Sequence, residues 1–425
     1  MRSISRLLIP VLCLAVSSTA FAAGFSIFEQ GAKATAMGGA FSATADDPSA
    51  IFYNVAGIAQ QRSTTVMVGG TGITFSNEFR GDPNDPFTSG FTGRYNRHLF
   101  IPPNAYAVVP IGKNLTVGVG AFAAFGLRTN WQDPWIGRFV SRDADLRTKS
   151  IEPAIAWQTD DGRFAVGAGY EYRESTVVLN RNSAALNPFN GRIIDAANAY
   201  LRSKKAHDSG YNAGILFKPG SWRFGVSYRS EQTMNYKGNA TFTQFPTGNA
   251  QLDAAIKSQL PPNQPINTSI NFPAITIAGI ATTAIPNWDI EFDVSHMTWS
   301  RFKTLNINFE TTPAANLTRP QNWKDSEAYR LGANRRINEM WDVRLGAVYD
   351  KNPQPTSGVG PLLPDADREG VSFGVGYRKG HLMIDATEFA LHFKTRSTNG
   401  LSNDNFNGTY KTDANLIALN FGYRF

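Results

Sequence analysis

The chain has 425 residues, of which 41 are lysine or arginine and 34 are aspartate or glutamate, so its formal net charge is +7. Positive and negative residues are mixed along the chain, which argues against the clustered basic face of a nucleic-acid-binding protein. The single cysteine, Cys13, lies in a segment predicted below to be removed, so neither disulfides nor thiolate metal sites are expected in the mature chain.

The N-terminus has the pattern of a secretory signal. Arg2 and Arg6 precede an apolar run over 7–16, and residues 20–22 read Ala-Phe-Ala, which fits a small-x-small cleavage site. We therefore predict a signal peptide over 1–22, whose removal lowers the net charge to about +5 because two arginines leave. No later stretch reaches the ~20 apolar residues that a membrane helix needs.

Residues 23–61 differ from the rest of the chain because glycine, alanine and serine dominate them. Asp46-Asp47-Pro48 opens a short turn that leads to Asn54. We predict that 23–61 forms a compact hatch, a plug inside a barrel formed by the later residues. An unstructured N-terminal arm is the alternative.

From residue 62 to 425, apolar and polar residues alternate in segments of strand length. In 222–229, 288–295 and 341–350, large apolar residues hold one set of alternate positions, and charged or small residues hold most of the other. A soluble sheet can use this pattern, but it rarely places aromatic residues at so many strand ends. A membrane barrel requires it, because lipid covers the outside while water or ligand fills the inside. The sequence predicts an all-β fold, a transmembrane antiparallel β-barrel of about 14 strands over 62–425.

Short turns at 110–113, 218–221 and 379–381 join pairs of predicted strands, and long connections separate the pairs. An even number of strands places both barrel ends on the periplasmic side, with the short turns. The predicted strands cover about 63–79, 97–110, 113–126, 145–158, 162–181, 204–218, 221–241, 266–284, 287–310, 323–336, 340–351, 368–379, 381–398 and 411–425.

The last predicted strand alternates apolar residues up to Phe425, which ends the chain on an aromatic ring. This ending resembles the signal that barrel-assembly machinery recognises, so we predict that machinery as a partner through Phe425. Together with the signal peptide, it predicts a bacterial outer-membrane protein surrounded by outer-membrane lipid and lipopolysaccharide.

Two connections, 182–203 and 242–265, are long for plain loops. Apolar residues recur in both at roughly helical spacing, for example Leu252, Ile256 and Leu260. We predict amphipathic helices at the outer mouth of the barrel. They form either an apolar landing surface for ligands or a lid whose parts pack on one another.

Residues that could carry chemistry are sparse. The five histidines show no metal-ligand spacing, and no Gly-x-Ser-x-Gly turn or phosphate-binding loop accompanies them: His98, His207, His296, His381 and His392. We therefore predict no catalytic residue, no metal, no cofactor and no enzymatic activity.

The segment 162–181 contains a candidate binding wall. Its odd positions end in Val177, Leu179 and Arg181, so one face passes from apolar to cationic. Such a face suits a ligand with an apolar tail and an anionic head. Burying hydrocarbon gains about 25 cal/mol per Å², and a guanidinium binds a carboxylate bidentately. In the alternative, Arg181 faces solvent at the outer rim.

Several motifs, in order along nearly the whole mature chain, resemble the FadL family of outer-membrane transporters of long-chain fatty acids and other hydrophobic compounds. They are Ala23-Gly24-Phe25, Ala45-Asp46-Asp47, Asn54-Val55-Ala56, Asn212-Ala213-Gly214-Ile215-Leu216, Tyr228-Arg229-Ser230-Glu231, Lys237-Gly238-Asn239, Thr298-Trp299-Ser300-Arg301-Phe302, Trp323-Lys324-Asp325, Tyr329-Arg330-Leu331-Gly332 and Pro364-Asp365-Ala366-Asp367-Arg368.

The resemblance implies a monomeric 14-stranded barrel that the hatch plugs. Hydrophobic ligands would land near the outer loops, pass to an apolar lumen pocket and leave when the hatch moves, sideways through a gap at a kinked strand. Long-chain fatty acids are the first expectation and aromatic hydrocarbons the alternative within the family. A lipid-acting barrel enzyme, a water-filled porin and an adhesin are weaker readings.

The resemblance also implies roles for individual residues. The substrate-binding residues that it implies are Phe25, Arg181, Arg319 and Asp350, with the arginines at the ligand's head group. Val177 and Leu179 of the candidate wall complete the predicted set. The hatch and gating residues would be Asp46, Asp47, Asn54, Val55 and Ala56. The family usually has Asn-Pro-Ala in the hatch, so Val55 departs from it, and a turn without proline is expected to be held by other contacts.

Overall fold

The computed structural model describes residues 24–425. The predicted signal peptide, 1–22, lies outside the described residues. Within 24–425, no helix is both long enough and apolar enough to cross a membrane.

Fourteen antiparallel strands of the described chain close into a barrel, because each pairs with its neighbours and the last strand pairs back with the first. This confirms the predicted fold and strand number. The wall strands are β1 (Thr65–Gly81), β4 (Pro103–Ile111), β5 (Leu115–Phe122), β7 (Asp143–Gln158), β8 (Phe164–Leu186), β10 (Ala206–Phe217), β11 (Trp222–Arg229), β14 (Ile275–Thr282), β15 (Trp288–Met297), β18 (Ser326–Arg336), β19 (Trp341–Asp350), β20 (Arg368–Lys379), β21 (Leu382–Phe393) and β23 (Gly408–Arg424).

Nine further strands extend the wall at its outer end. They are β2 (Thr92–Arg94), β3 (Leu99–Phe100), β6 (Gly126–Asn130), β9 (Ile193–Ser203), β12 (Gln232–Gln244), β13 (Gln264–Phe272), β16 (Thr304–Phe309), β17 (Leu317–Pro320) and β22 (Arg396–Ser397). Short 3₁₀ turns lie at Ile136–Phe139, Trp299–Arg301, Pro313–Ala315 and Thr356–Gly358.

The two faces of the wall follow the alternation of the sequence. On β11, Trp222 and Val226 are exposed on the outside, whereas Ser227 and Arg229 are buried inside. On β19, Leu345 is 59% exposed and Arg344 only 1%. The outside is therefore apolar and the inside polar, as a barrel in lipid requires.

The predicted helix in 182–203 is wrong. This stretch forms the outer end of β8 and the paired strand β9, because its apolar residues also alternate in and out of a sheet. The helix in 242–265 is confirmed as α3 (Ala250–Gln259), the third helix of the chain. Leu252 and Ile256 of α3 pack against Ala196 of β9, which favours the lid over a free landing surface.

Residues 24–61, the N-terminal segment, pack against the inner face of the wall. They contain α1 (Ala32–Ala36), α2 (Ala50–Tyr53) and a 3₁₀ turn, Val55–Gln60, and are almost entirely buried. Glycines of the wall allow this close approach. A Cβ added at Gly225 would lie 2.1 Å from the Ser42 carbonyl oxygen, and one at Gly346 would lie 2.0 Å from the Gly38 nitrogen.

Candidate functional site

Arg181 and Arg319 line one cavity of about 280 Å³ at the outer end of the barrel, here called the arginine cavity. Arg181 ends the inward face of β8, and Arg319 belongs to β17. The remaining lining is mainly aliphatic: Leu179, Leu201, Leu305, Ile307, Leu317 and Leu362. An apolar cavity that holds two guanidinium groups can take a hydrocarbon chain with an anionic end.

The two arginines differ in their partners. Arg319 Nη2 bonds to Asp404 Oδ1, so its charge is compensated. The guanidinium of Arg181 forms no ion pair or hydrogen bond within residues 24–425. Because Arg181 faces a cavity and has no carboxylate of its own, it is the better anion acceptor of the two.

Val177 and Leu179 lie where the alternation along β8 predicts. Both line a narrow gap of about 20 Å³ with Leu201, Ile266 and Ile307 on neighbouring strands. Leu179 also belongs to the arginine cavity, so this gap continues its apolar wall inward.

Phe25 lies in an aromatic cage. Its ring centroid is 4.7 Å from that of Trp299 and 5.7 Å from those of Phe272 and Trp323, and it is 5% exposed. The preceding Gly24 has φ +64°, and a Cβ there would come within 2.6 Å of the Trp323 ring. Only glycine fits this position, so the cage fixes where the N-terminal segment begins.

A second cavity, here called the side cavity, has Phe25 in its lining. Its volume is about 120 Å³ and its lining is mainly apolar, with Ile73, Phe75, Phe100, Leu127, Leu391 and Leu416. Leu362 lines the arginine cavity and Leu363 the side cavity, so the connection between β19 and β20 contributes to both.

The side cavity lies behind a break in the wall. β4 pairs with β5 only as far as Ala105 and Ala121, and the chain then kinks at 123–125 before β6. Backbone groups at the kink bond to the N-terminal segment instead. Ile27 N–H donates to the Ala124 carbonyl at 2.9 Å, and Gly126 N–H donates to the Phe25 carbonyl at 3.0 Å. The N-terminal segment therefore completes the wall where two strands separate.

Asp350 does not line the arginine cavity. It ends β19 beside the side cavity, where Arg368 Nη2 lies 2.9 Å and Arg330 Nη2 3.9 Å from Asp350 Oδ2. Glu29 of the N-terminal segment also lines the side cavity. The predicted set is thus divided: Arg181, Arg319 and Leu179 share one cavity, while Phe25 and Asp350 belong to the neighbourhood of the other.

Buried carboxylates hold the middle of the N-terminal segment. Asp293 Oδ2 accepts hydrogen bonds from the N–H groups of Phe41 and Ser42, both at 3.0 Å. Glu291 accepts those of Ala43 and Thr44 at 2.7 and 2.9 Å. The sequence places both acids on the polar face of 288–295 but does not indicate their role. Their partners are main-chain N–H groups, which leave no pattern in the sequence.

The predicted gating residues lie in the same packed part of the segment. Asn54 donates to the carbonyls of Ser42 at 2.7 Å and Ile215 at 3.0 Å, and its Oδ1 accepts from Ala56 N–H at 3.2 Å. Asn54 therefore holds the turn that proline would otherwise restrict at Val55. The N–H of Ala56 is thereby satisfied within the turn.

Asp46 and Asp47 lie just before α2. Burial opposes ionisation of Asp46, but the Lys33 ammonium at 2.6 Å holds the pKa of Asp46 below its usual range. Burial raises the pKa of Asp47, whose Oδ1 accepts from the N–H and hydroxyl of Ser49. Both acids are used within the segment, since each bonds to one of its own residues.

Two further residues were not singled out by the sequence. Arg229 pairs with Glu152 at 2.6 Å and with Glu171, and it donates to the Phe52 carbonyl at 3.2 Å. Both Arg229 and Arg368 were quoted only as members of motifs. Within 24–425, no three histidine, cysteine, aspartate or glutamate side chains are grouped as metal ligands.

The chain is similar to known proteins both in sequence and in structure. The model of a family described as outer membrane protein transport protein (OMPP1/FadL/TodX) matches residues 13–425. The long-chain fatty acid transport protein of Salmonella typhi is 24% identical, and the 47 kDa outer membrane protein of Pasteurella multocida is 26% identical. Each alignment covers 96% of both chains.

Solved structures show the same fold. A FadL homologue of Pseudomonas aeruginosa has a TM-score of 0.81 at 20% identity, covering 95% of this chain and 100% of its own. The toluene transporter TbuX of Ralstonia pickettii has a TM-score of 0.69 at 19% identity, covering 94% and 100%.

Proposed function

We propose that this chain, which belongs to the OMPP1/FadL/TodX family of outer-membrane transport proteins, carries long-chain fatty acids passively across the bacterial outer membrane. The family membership itself confirms the predicted location, an outer-membrane β-barrel, and the broader function, transport of hydrophobic compounds. The choice of fatty acids and the route described below are our proposal.

The observation that carries the proposal is the arginine cavity. Within 24–425 the Arg181 guanidinium forms no ion pair or hydrogen bond, and it faces a mainly aliphatic cavity of about 280 Å³. The Asp404 carboxylate lines the same cavity but pairs with Arg319. A guanidinium without an ion pair among leucines does not fit a water-filled porin. The carboxylate of a fatty acid, in contrast, compensates the charge of the guanidinium. Arg319 assists at the same end of the cavity, with Asp404 setting its orientation.

The proposed route begins at the outer loops, where α3 and the β8–β9 hairpin cover the mouth. The acid enters the arginine cavity with its head at Arg181 and its tail along Val177 and Leu179. Phe25 then stands between this cavity and the side cavity. Movement of the N-terminal segment, acting as a hatch, withdraws Phe25 and opens the break at 123–125 sideways into the membrane.

Competitive binding tests the proposal. We expect oleate to displace a fluorescent long-chain fatty acid from the purified, detergent-folded protein, and Arg181→Ala to weaken oleate binding about tenfold or more, because a hydrogen-bonded charge contributes about 1.5–3 kcal/mol. The control is Lys303→Ala, which changes an exposed lysine just before β16 that lines neither cavity and should keep wild-type affinity. Equal oleate affinity in Arg181→Ala and wild type would remove Arg181 from the binding site.

Uptake of aromatic hydrocarbons is the second candidate. The mainly apolar side cavity favours it, and one structurally similar protein is a toluene transporter. Displacement of the probe by toluene but not by oleate would move the protein to this function. In that case Arg181→Ala should leave toluene binding unchanged, because a neutral ring gains nothing from the guanidinium's charge.

A further inference from the structure

The side cavity has a charged end that the route above does not use. Arg368 lines this cavity, and the hydrogen bonds of its guanidinium within 24–425 run from Nε and Nη2 to a single oxygen, Asp350 Oδ2, at 3.1 and 2.9 Å. Nη1 has no partner among the described residues. An arginine can donate five hydrogen bonds, so Arg368 retains capacity for a second carboxylate.

Glu29 lies at the same end of the cavity and belongs to the N-terminal segment. Its carboxylate accepts from Phe28 N–H at 3.1 Å but is in ion-pair contact with neither Arg368 nor Arg330. Burial raises the pKa of Glu29, while the charges of Arg368 and Arg330 oppose that shift. The electrostatic environment of Glu29 therefore depends on what else occupies Arg368.

We propose that the side cavity is a second carboxylate site, in which Arg368 binds the head group of a fatty acid that has left Arg181 and Glu29 transmits its arrival to the N-terminal segment. This inference rests on the proposed function. The apolar lining, from Phe75 to Leu391, receives the beginning of the tail, and the break at 123–125 gives the rest of the tail an exit.

The coupling follows from charge. A ligand carboxylate at Arg368 adds a negative charge beside three acidic side chains, Asp350, Glu29 and Asp365, which all interact with this guanidinium. Like charges repel strongly where water is scarce. Asp350 is part of a wall strand and is held by two arginines. Glu29 is tied to the wall through its own carbonyl, which accepts from Thr71 Oγ1 at 2.9 Å. The repulsion therefore loosens residues 24–31, the part of the segment that closes the break.

Neutral ligands lack this effect. Toluene or methyl oleate can fill the apolar part of the cavity but brings no charge to Arg368. Carboxylates alone would then signal to the N-terminal segment, which makes Arg368 and Glu29 the pair that distinguishes acids from neutral hydrocarbons.

Hydrogen exchange of the amides in 24–31 tests the inference on the full mature chain in detergent. In wild type we expect oleate to raise the exchange rate several-fold and methyl oleate to leave it unchanged. Arg368→Gln and Glu29→Gln should each abolish the oleate response while oleate still displaces the fluorescent acid. Arg378→Gln is the matched control, because Arg378 lies on the same strand and pairs with Asp385 at 2.8 Å away from the cavity.

The inference fails if Arg368→Gln responds to oleate as wild type does. Should that variant not fold, Glu29→Gln decides alone, since it alters a carboxylate without an ion pair and keeps its size. If oleate displaces the probe in an Arg181-dependent way but never changes exchange in 24–31, only this inference is wrong. If oleate does not bind wild type at all, the proposed function falls as well.

Discussion

The two parts of the N-terminal segment are fastened to the barrel in different ways. Residues 32–61, its body, bond to the interiors of several wall strands through Glu291, Asp293, Ser372, Thr387 and Asn420. Residues 24–31, its leading part, bond to the strand kink, to a loop aspartate, to the wall hydroxyls of Thr71 and Tyr106 and to Tyr53 of the body, and Phe25 packs in the aromatic cage. We therefore expect a ligand to move the leading part without dislodging the body.

The largest expected effect comes from breaking the anchor of the body. In the double variant Glu291→Ala, Asp293→Ala, four buried N–H groups lose their acceptors, at a cost of about 1 kcal/mol or more each. Protection of the amides of 41–44 against hydrogen exchange should fall by about three orders of magnitude, since 1.4 kcal/mol corresponds to a factor of ten.

Asp289→Ala controls for that double variant. It removes an inward carboxylate of the same strand that pairs with Arg223 at 2.9 Å and not with the N-terminal segment. Wild-type protection of 41–44 in the double variant would contradict the view that these acids anchor the body.

Breaking the leading part should have a separate effect, confined to that part of the segment. Phe25→Ala empties the aromatic cage, and truncating a buried phenylalanine costs about 3–5 kcal/mol. We expect faster exchange in 24–31 and unchanged exchange in 41–44. Phe28→Ala provides the contrast, because Phe28 contacts Phe52 and Tyr53 and should loosen the body too. Equal loosening of both parts by Phe25→Ala would show that they move as one unit.

The attachment of the leading part should weaken as pH rises towards 7. Gly24 N–H donates to Asp365 Oδ2 at 3.1 Å, and burial raises the pKa of Asp365 to about 7 against the opposing charges of Arg368 and Arg396. Detachment would hydrate Asp365 and return its pKa towards 3.8. The attached state then binds the proton more tightly than the detached state. The stability that this adds to the attached state is fully present below about pH 3.8 and is lost as the pH rises to about 7.

The measurement is the opening equilibrium of 24–27 at pH 5 and pH 7, taken from hydrogen exchange corrected for its intrinsic pH dependence. We expect opening to be favoured several-fold at pH 7 in wild type. In Asp365→Asn it should depend less steeply on pH, because the introduced asparagine cannot titrate while Glu29, whose pKa burial also raises, still can. An opening equilibrium that becomes less favourable as pH rises would reverse the sign and refute the argument.

The wall was predictable from the sequence and the site only in part. Lipid on one side and water on the other force a period of two, so all fourteen strands, and the inward direction of Arg181, follow from alternation. The same alternation can imitate a helix over a short apolar stretch, which is why 182–203 was misassigned. Partners such as Asp293 and the Phe41 N–H lie far apart in sequence, and one of them is a main-chain group, so they leave no local pattern in the sequence.

The smallest effect is expected where the chain departs from its family. Val55 is the first residue of a 3₁₀ turn, a position whose N–H needs no partner within the turn. Asn54 before it has φ −156° and ψ 103°, the extended conformation that a following proline requires. Val55→Pro should therefore be accepted without strain and stabilise the turn by about 0.4–1 kcal/mol, because proline restricts the unfolded chain.

Asn54→Ala, which removes the bonds to Ser42 and Ile215, should destabilise the turn instead. Loss of protection at residues 54–57 in Val55→Pro would mean that the valine side chain, and not Asn54, holds this turn.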